Sequence, residues 1–152
     1  MDSQATLKQI KDFLRAHIDE GCKCPGCGQE VKKYRRVLGV QMARFLIALF
    51  RAPKLPDGWI DIRTLDVRGG DYAKTLYWGL VELRGNVDPK KRKSGFWRLT
   101  PKGLLFIHDQ VRVPKYALVY NHRCLGFSNQ DTGIRQALGQ KFSYEKLMCG
   151  AV

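Results

Sequence analysis

Acidic side chains are scarce in this sequence: 14 Asp and Glu stand against 27 Lys and Arg, a net charge of +13 over 152 residues. That imbalance opposes compaction and favours polyanionic partners, either nucleic acid or an anionic membrane surface. Long apolar runs are missing too. The longest, Phe45 to Phe50, falls far short of the ~20 residues a membrane span requires. Met1-Asp2-Ser3-Gln4 offers no basic region followed by an apolar one, so no signal peptide is expected and a cytoplasmic location is the default. Histidines number three. There are no paired carboxylates at metal spacing, no Ser/His/Asp set and no phosphate-cradling glycine loop, which argues against an enzyme. Internal repeats and low-complexity linkers are also absent.

What is present describes a folded chain. Hydrophobic residues make up 44% and aromatics 11%, too many for a disordered tail. The length suits one domain with a core and a small appendage. Leu7, Ile10, Phe13, Leu14 and Ile18 recur at helical spacing, predicting an amphipathic helix over 5–18 that ends at Gly21. Residues 31–37 read as a short strand or extended arm. Val40 to Phe50 is apolar around much of its girth, as expected of a central core helix stopped by Pro53 and Pro56.

A short strand is expected over Gly58 to Arg63 and a helical segment over Thr64 to Val67. A helix from Asp71 to Trp78, capped by Asp71 and ended by Gly79, comes next. Leu80 to Leu83 and Phe96 to Leu99 read as strands joined by the loop Arg84 to Gly95. Thr100, with Pro101 after it, caps a helix reaching Val111. Val113 to Phe127 has hairpin alternation with Asn121-His122 at the turn, and two short helices follow, one from about Asp131 or Thr132 and one capped by Ser143. The expected class is α+β. Residues 1–38 form an N-terminal helix and cysteine knuckle, 39–112 the core, and 113–152 a hairpin with short helices.

Three of the five cysteines, Cys22, Cys24 and Cys27, lie within six residues. In a chain without a secretory signal such a cluster argues for metal over disulfides. Cys24 and Cys27 also have redox C-x-x-C spacing, but Pro25-Gly26 between them and Gly28 after them fit a metal knuckle better. A structural Zn2+ needs four ligands. Cys24 and Cys27 supply two and Cys22 is a candidate third. The fourth is either His17 on the preceding helix or the His122 and Cys124 hairpin. Free thiols on an exposed turn are the alternative. His108 and Cys149 read as residues without chemistry.

Between Arg84 and Lys102 seven basic residues (Arg84, Lys90, Lys91, Arg92, Lys93, Arg98, Lys102) face one acid, Asp88. A solvated charged loop is the plain reading of such a run. Beside a helix sized for the major groove, a basic hairpin also reaches phosphates or the minor groove. Trp59, Trp78 and Trp97 sit in apolar periodic segments and read as core, with base stacking the alternative for Trp97 or Phe96.

Gly79-Leu80-Val81-Glu82, then Asp88 and Arg92, then Leu99-Thr100-Pro101-Lys102-Gly103 resemble the wing segment of the multiple-antibiotic-resistance-regulator (MarR-type) transcription factors, over residues 40 to 110. The resemblance implies a winged helix-turn-helix. Asp71 to Trp78 would be its recognition helix, with Lys74 and Thr75 toward DNA, and Arg92 the wing residue. Arg84, Lys90, Lys91, Lys93 and Arg98 would add phosphate contacts. The long dimerisation helices of that family have no counterpart in the flanks, and the recognition segment lacks the Arg or Asn that read bases bidentately. The whole chain also resembles small proteins of phage and prophage genomes, which would place it in a bacterial host cell. The expected partner is double-stranded DNA, for a regulator or phage accessory factor, with a homodimer as one form. The alternative is an adaptor that binds a host complex such as RNA polymerase, a nuclease or defence machinery.

Overall fold

In the computed structural model, which describes residues 4–66, 70–85 and 95–149, helix α1 (Leu7–His17) starts at a reciprocal cap. The Thr6 hydroxyl accepts from the Gln9 backbone N–H, and the Thr6 N–H donates to the Gln9 side-chain oxygen, satisfying donors that a helix start leaves open. Gly21, at φ 83°, turns the chain out by donating to the His17 carbonyl, in a left-handed conformation that glycine adopts without strain. No α1 residue is fully buried.

A short antiparallel ribbon follows, β1 (Cys22–Lys23) against β2 (Glu30–Val31). The arm expected over 31–37 is therefore divided. Val31 closes the ribbon, while β3 (Tyr34–Val37) joins a different sheet. Helix α2 (Val40–Arg51) is the expected core helix and buries Met42, Ala43, Phe45, Leu46, Ile47 and Leu49. The strand expected over Gly58 to Arg63 is shorter, β4 (Ile60–Asp61), because the Asp61 carboxylate accepts from the Arg63 N–H and starts a 3₁₀ turn at Ile62–Thr64. That turn stands in place of the helical segment expected over Thr64 to Val67, whose last residue lies outside the described residues.

Asp71–Trp78 is helical as expected, but Asp71 is its first residue instead of its cap, which is Gly70 with no side-chain hydrogen bond, and the helix is a 3₁₀ helix. The spacing supplies the reason. At three residues per turn, positions i, i+3 and i+6 align, and Tyr72, Thr75 and Trp78 form one inward line. Thr75 and Trp78 are buried, and Tyr72 meets Phe45 and Trp97 at ring-centroid distances of 5.0 and 5.7 Å. Gly79, at φ 70°, ends the helix.

Strands β5 (Val81–Leu83) and β6 (Phe96–Leu99) complete a three-stranded antiparallel sheet ordered β4-β6-β5. Helix α3 (Pro101–Ile107) begins at Thr100, whose hydroxyl accepts from the Gly103 N–H and donates to the Gly79 carbonyl. The helix stops four residues before Val111, since Asp109 takes φ 60°.

Val113 and Pro114 leave the expected hairpin to form β7 (Val113–Pro114), which pairs with β10 (Asp131–Thr132). Between them β8 (Tyr116–Tyr120) and β9 (Arg123–Phe127) form the hairpin itself, turning at Asn121 and His122 with φ 52° and 62°. Positive φ at both central residues is the type I′ signature. The sheet order is β3-β8-β9. Helices α4 (Ile134–Leu138) and α5 (Tyr144–Cys149) pack against α2. Leu38, Leu46, Trp97, Phe106, Val113, Ala117 and Ile134 belong to one hydrophobic cluster, so 39–112 and 113–149 share a core. The fold is α+β. Among the described residues no helix is long and apolar enough to cross a membrane.

Gly103 is a packing necessity. A Cβ there would stand 2.0 Å from the Leu80 carbonyl oxygen, and backbone cannot yield to it cheaply. Gly103→Ala is expected to lower the unfolding free energy by about 2–3 kcal/mol, as overpacking does, measured by urea denaturation.

Candidate nucleic-acid interface

The loop that carries Lys90, Lys91, Arg92 and Lys93 lies outside the described residues, but its base is well defined. β5 and β6 run antiparallel with Glu82 opposite Arg98, and the Arg84 N–H donates to the Phe96 carbonyl. Alternation sends Val81, Leu83, Trp97 and Leu99 toward the core side and Glu82, Arg84, Phe96 and Arg98 to the outer face. There, each arginine covers an aromatic ring and meets a carboxylate. The Arg84 guanidinium lies 4.0 Å from the Phe96 ring centroid and 3.1 Å from Asp57. Arg98 lies 4.1 Å from the Trp59 ring centroid and 2.7 Å from Glu82.

One expectation changes as a result. Trp59 is half-buried on the outer face, not in the core, because it neighbours Ile60, which points inward. Trp97, 1% exposed, is in the core as expected and cannot stack on a base. Phe96 remains on the surface beneath Arg84.

The 3₁₀ helix corrects a second. Thr75 is fully buried with its hydroxyl donating to the Tyr72 carbonyl, so it offers nothing to DNA. Lys74 lies on the line Asp71-Lys74-Tyr77 and is ion-paired with Asp71 at 2.7 Å. That contact holds the Asp71 carboxyl below its ordinary range, through the Lys74 hydrogen bond first and its charge second. Lys102, part of the same basic run, donates to the Trp78 carbonyl at 3.0 Å and acts as a structural tie.

A second basic surface escaped notice in the sequence. Lys32, Lys33, Arg35 and Arg36 surround Tyr34 on and beside the edge strand β3. Arg35 lies 5.0 Å from the Tyr116 ring centroid, with Lys115 at 5.5 Å from the same ring. Four cations in five residues was the available signal; the segment reads as basic in the sequence, but as a strand or arm and not as a site.

Of the cysteines, the knuckle brings Cys24 and Cys27 together. The Cys24 N–H donates to the Gln29 carbonyl and the Gly28 N–H to the Cys24 carbonyl, both at 2.8 Å, with Gly28 at φ 76°. Backbone N–H groups of Cys27 and Gly26 aim at the Cys24 sulfur and hold its thiol below the ordinary value. The other proposed ligands do not join. Cys22 is opposite Val31 in β1. Cys124 is opposite Val119, its thiol bonded to the Gly126 carbonyl at 3.3 Å. His17 stacks on Phe13, with Nδ1 at 2.8 Å from the Phe13 carbonyl. Among the described residues no group of three or more His, Cys, Asp or Glu is placed to hold a metal.

No family model, curated protein or solved structure matches this chain.

A lowered pKa means that the Cys24 thiolate persists to lower pH than an ordinary thiol, whose pKa is about 8.5. In metal-free protein, iodoacetamide labelling followed by mass spectrometry is expected to modify Cys24 ahead of Cys149 near pH 7. Equal rates at the two sites would show that the N–H groups do not act on the sulfur.

Proposed function

We propose that the chain is a winged-helix protein that binds duplex DNA mainly through phosphate contacts from residues 84–98. The observation that carries the reading is the strand order β4-β6-β5 with the 3₁₀ helix Asp71–Trp78 immediately before β5, which puts a short helix beside a basic hairpin. This is the arrangement in which a helix approaches the major groove and a wing reaches the backbone. At the base of the hairpin Arg84 and Arg98 have carboxylate partners, so the surplus charge of the segment belongs to Lys90, Lys91, Arg92 and Lys93. The helix offers little for base reading: Thr75 is buried and Lys74 is tied to Asp71. Binding is therefore governed by charge more than by sequence, as in a phage-encoded accessory factor or a regulator of low selectivity.

Each phosphate contact adds roughly 0.9 to the slope of log affinity against log salt. Replacing Lys90, Lys91, Arg92 and Lys93 by Ser is expected to reduce that slope by about 3.6 if all four contact phosphates, in duplex-DNA anisotropy titrations. An unchanged slope would remove the loop from the interface.

The second reading, docking to a host protein complex, draws on the same helix, where Leu76 is exposed beside few base-reading groups. Recovery of one stoichiometric protein partner after nuclease treatment would place it above the first.

Cys24 and Cys27 fit half of a structural Zn2+ site: two adjacent sulfurs on a glycine-containing turn, with N–H groups favouring thiolate. The other two ligands would come from the same pair in a second copy, giving four sulfurs. Elemental analysis is expected to find about one zinc per two chains, lost with Cys24→Ser or Cys27→Ser. Metal-free, fully folded monomer would end this part of the reading.

A further inference from the structure

We propose that the cleft between β3, the 3₁₀ helix Asp71–Trp78 and the β8–β9 turn binds a nucleotide, its base against tyrosine and its phosphate at Arg36. The cleft measures about 570 Å3, within the ~300–1,000 Å3 range of small-ligand sites. Its lining includes Tyr34, Arg36, Lys74, Tyr77, Tyr120 and His122.

The fold explains why these side chains converge. Tyr34 and Arg36 are two apart on β3, opposite Val119 and Ala117, so both lie on the side of the sheet that faces the helix. Asp71, Lys74 and Tyr77 share one line of the 3₁₀ helix, parallel to its buried line. The left-handed turn at Asn121 and His122 carries Tyr120 and His122 to the open end.

The polar groups there are available. The hydroxyls of Tyr34, Tyr77 and Tyr120 make no hydrogen bond among the described residues; Lys74 is ion-paired with Asp71, and the Arg36 charge acts on the same carboxylate without a direct ion pair. Glu30 on the lining and Asp71 beside Lys74 are the acids there, against the cations Arg36 and Lys74. Aromatic rings beside an arginine suit a nucleotide, because every base has a π-face and guanidinium matches phosphate. A purely anionic ligand would not use three tyrosines, and an apolar one would not use Arg36. The proposal does not depend on the loop 86–94.

The test uses the full-length protein with a thymidine octanucleotide, thymidine monophosphate and a duplex, by fluorescence anisotropy and calorimetry. Tyr34→Ala and Arg36→Gln alter exposed side chains, and a thermal melt checks that both fold. Each is expected to weaken octanucleotide binding roughly ten-fold or more, the scale of one lost base stack, with duplex affinity within about two-fold. Tyr34→Phe keeps the ring and should keep the affinity. Equal binding of monophosphate and octanucleotide assigns the cleft to a free nucleotide; tighter octanucleotide binding assigns it to a strand. No binding of either probe, or affinities unmoved by both variants, overturns the proposal. So does loss of octanucleotide binding on neutralising Lys90 to Lys93, since the loop would then be holding the strand.

Discussion

The Thr100 hydroxyl does two things at once: it accepts from the Gly103 N–H and donates to the Gly79 carbonyl at 2.6 Å. Around it the Thr100 N–H donates to the Leu80 carbonyl, and Lys102 reaches the Trp78 carbonyl. The last residues of the 3₁₀ helix, the entry to β5 and the first turn of α3 are thus one hydrogen-bonded joint. Gly103 lets the backbones approach, for any larger residue would collide with Leu80. From this joint Trp78 is positioned to fill the core and donate its indole N–H to the Pro114 carbonyl, which ties in the C-terminal segment. Strands β5 and β6 and the helix beside them take their relative placement from a contact made by Trp78, Gly79 and Leu80 on one side and Thr100, Lys102 and Gly103 on the other.

Charge is distributed unevenly around this frame. Near the joint the cations have partners: Arg84 with Asp57, Arg98 with Glu82, Lys74 with Asp71 and Arg63 with Asp61. Exposed pairs of this kind stabilise little, but they cancel field locally. Two dense basic runs within the +13 chain lie elsewhere, Lys90 to Lys93 and Lys32 to Arg36, the second with Lys33 paired to Asp19. These two basic runs, far apart in the sequence, are the basis for proposing a duplex as the partner of the first and an unpaired nucleotide as that of the second.

Features set by local chemistry were legible in the sequence. The apolar girth of Val40 to Phe50, the Thr100 cap before Pro101, the stop at Gly79 and the Asn121-His122 turn are all dictated within a few residues, and all are found. Features set by a second periodicity or a distant partner were not. Tyr72, Thr75 and Trp78 repeat every three residues, so a 3₁₀ line buries Thr75, which an α-helical wheel leaves open. Trp59 and Ile60 are apolar neighbours at the entry to β4, and only Ile60 faces inward. The pairing of Tyr34–Val37 with Tyr116–Val119 joins segments some eighty residues apart, and without it the tyrosines and Arg36 cannot be seen as one site. Likewise the cysteine spacing announces the Cys24–Cys27 turn but not that Cys22 pairs opposite Val31 and Cys124 opposite Val119.

Hydrogen–deuterium exchange with and without duplex DNA at low salt tests most directly whether residues 84–98 hold the duplex. The account predicts slowed exchange in peptides covering the loop and its two strands, with little change in peptides covering 30–37. Protection confined to 30–37, or none along 84–98 while the duplex is bound, would contradict it.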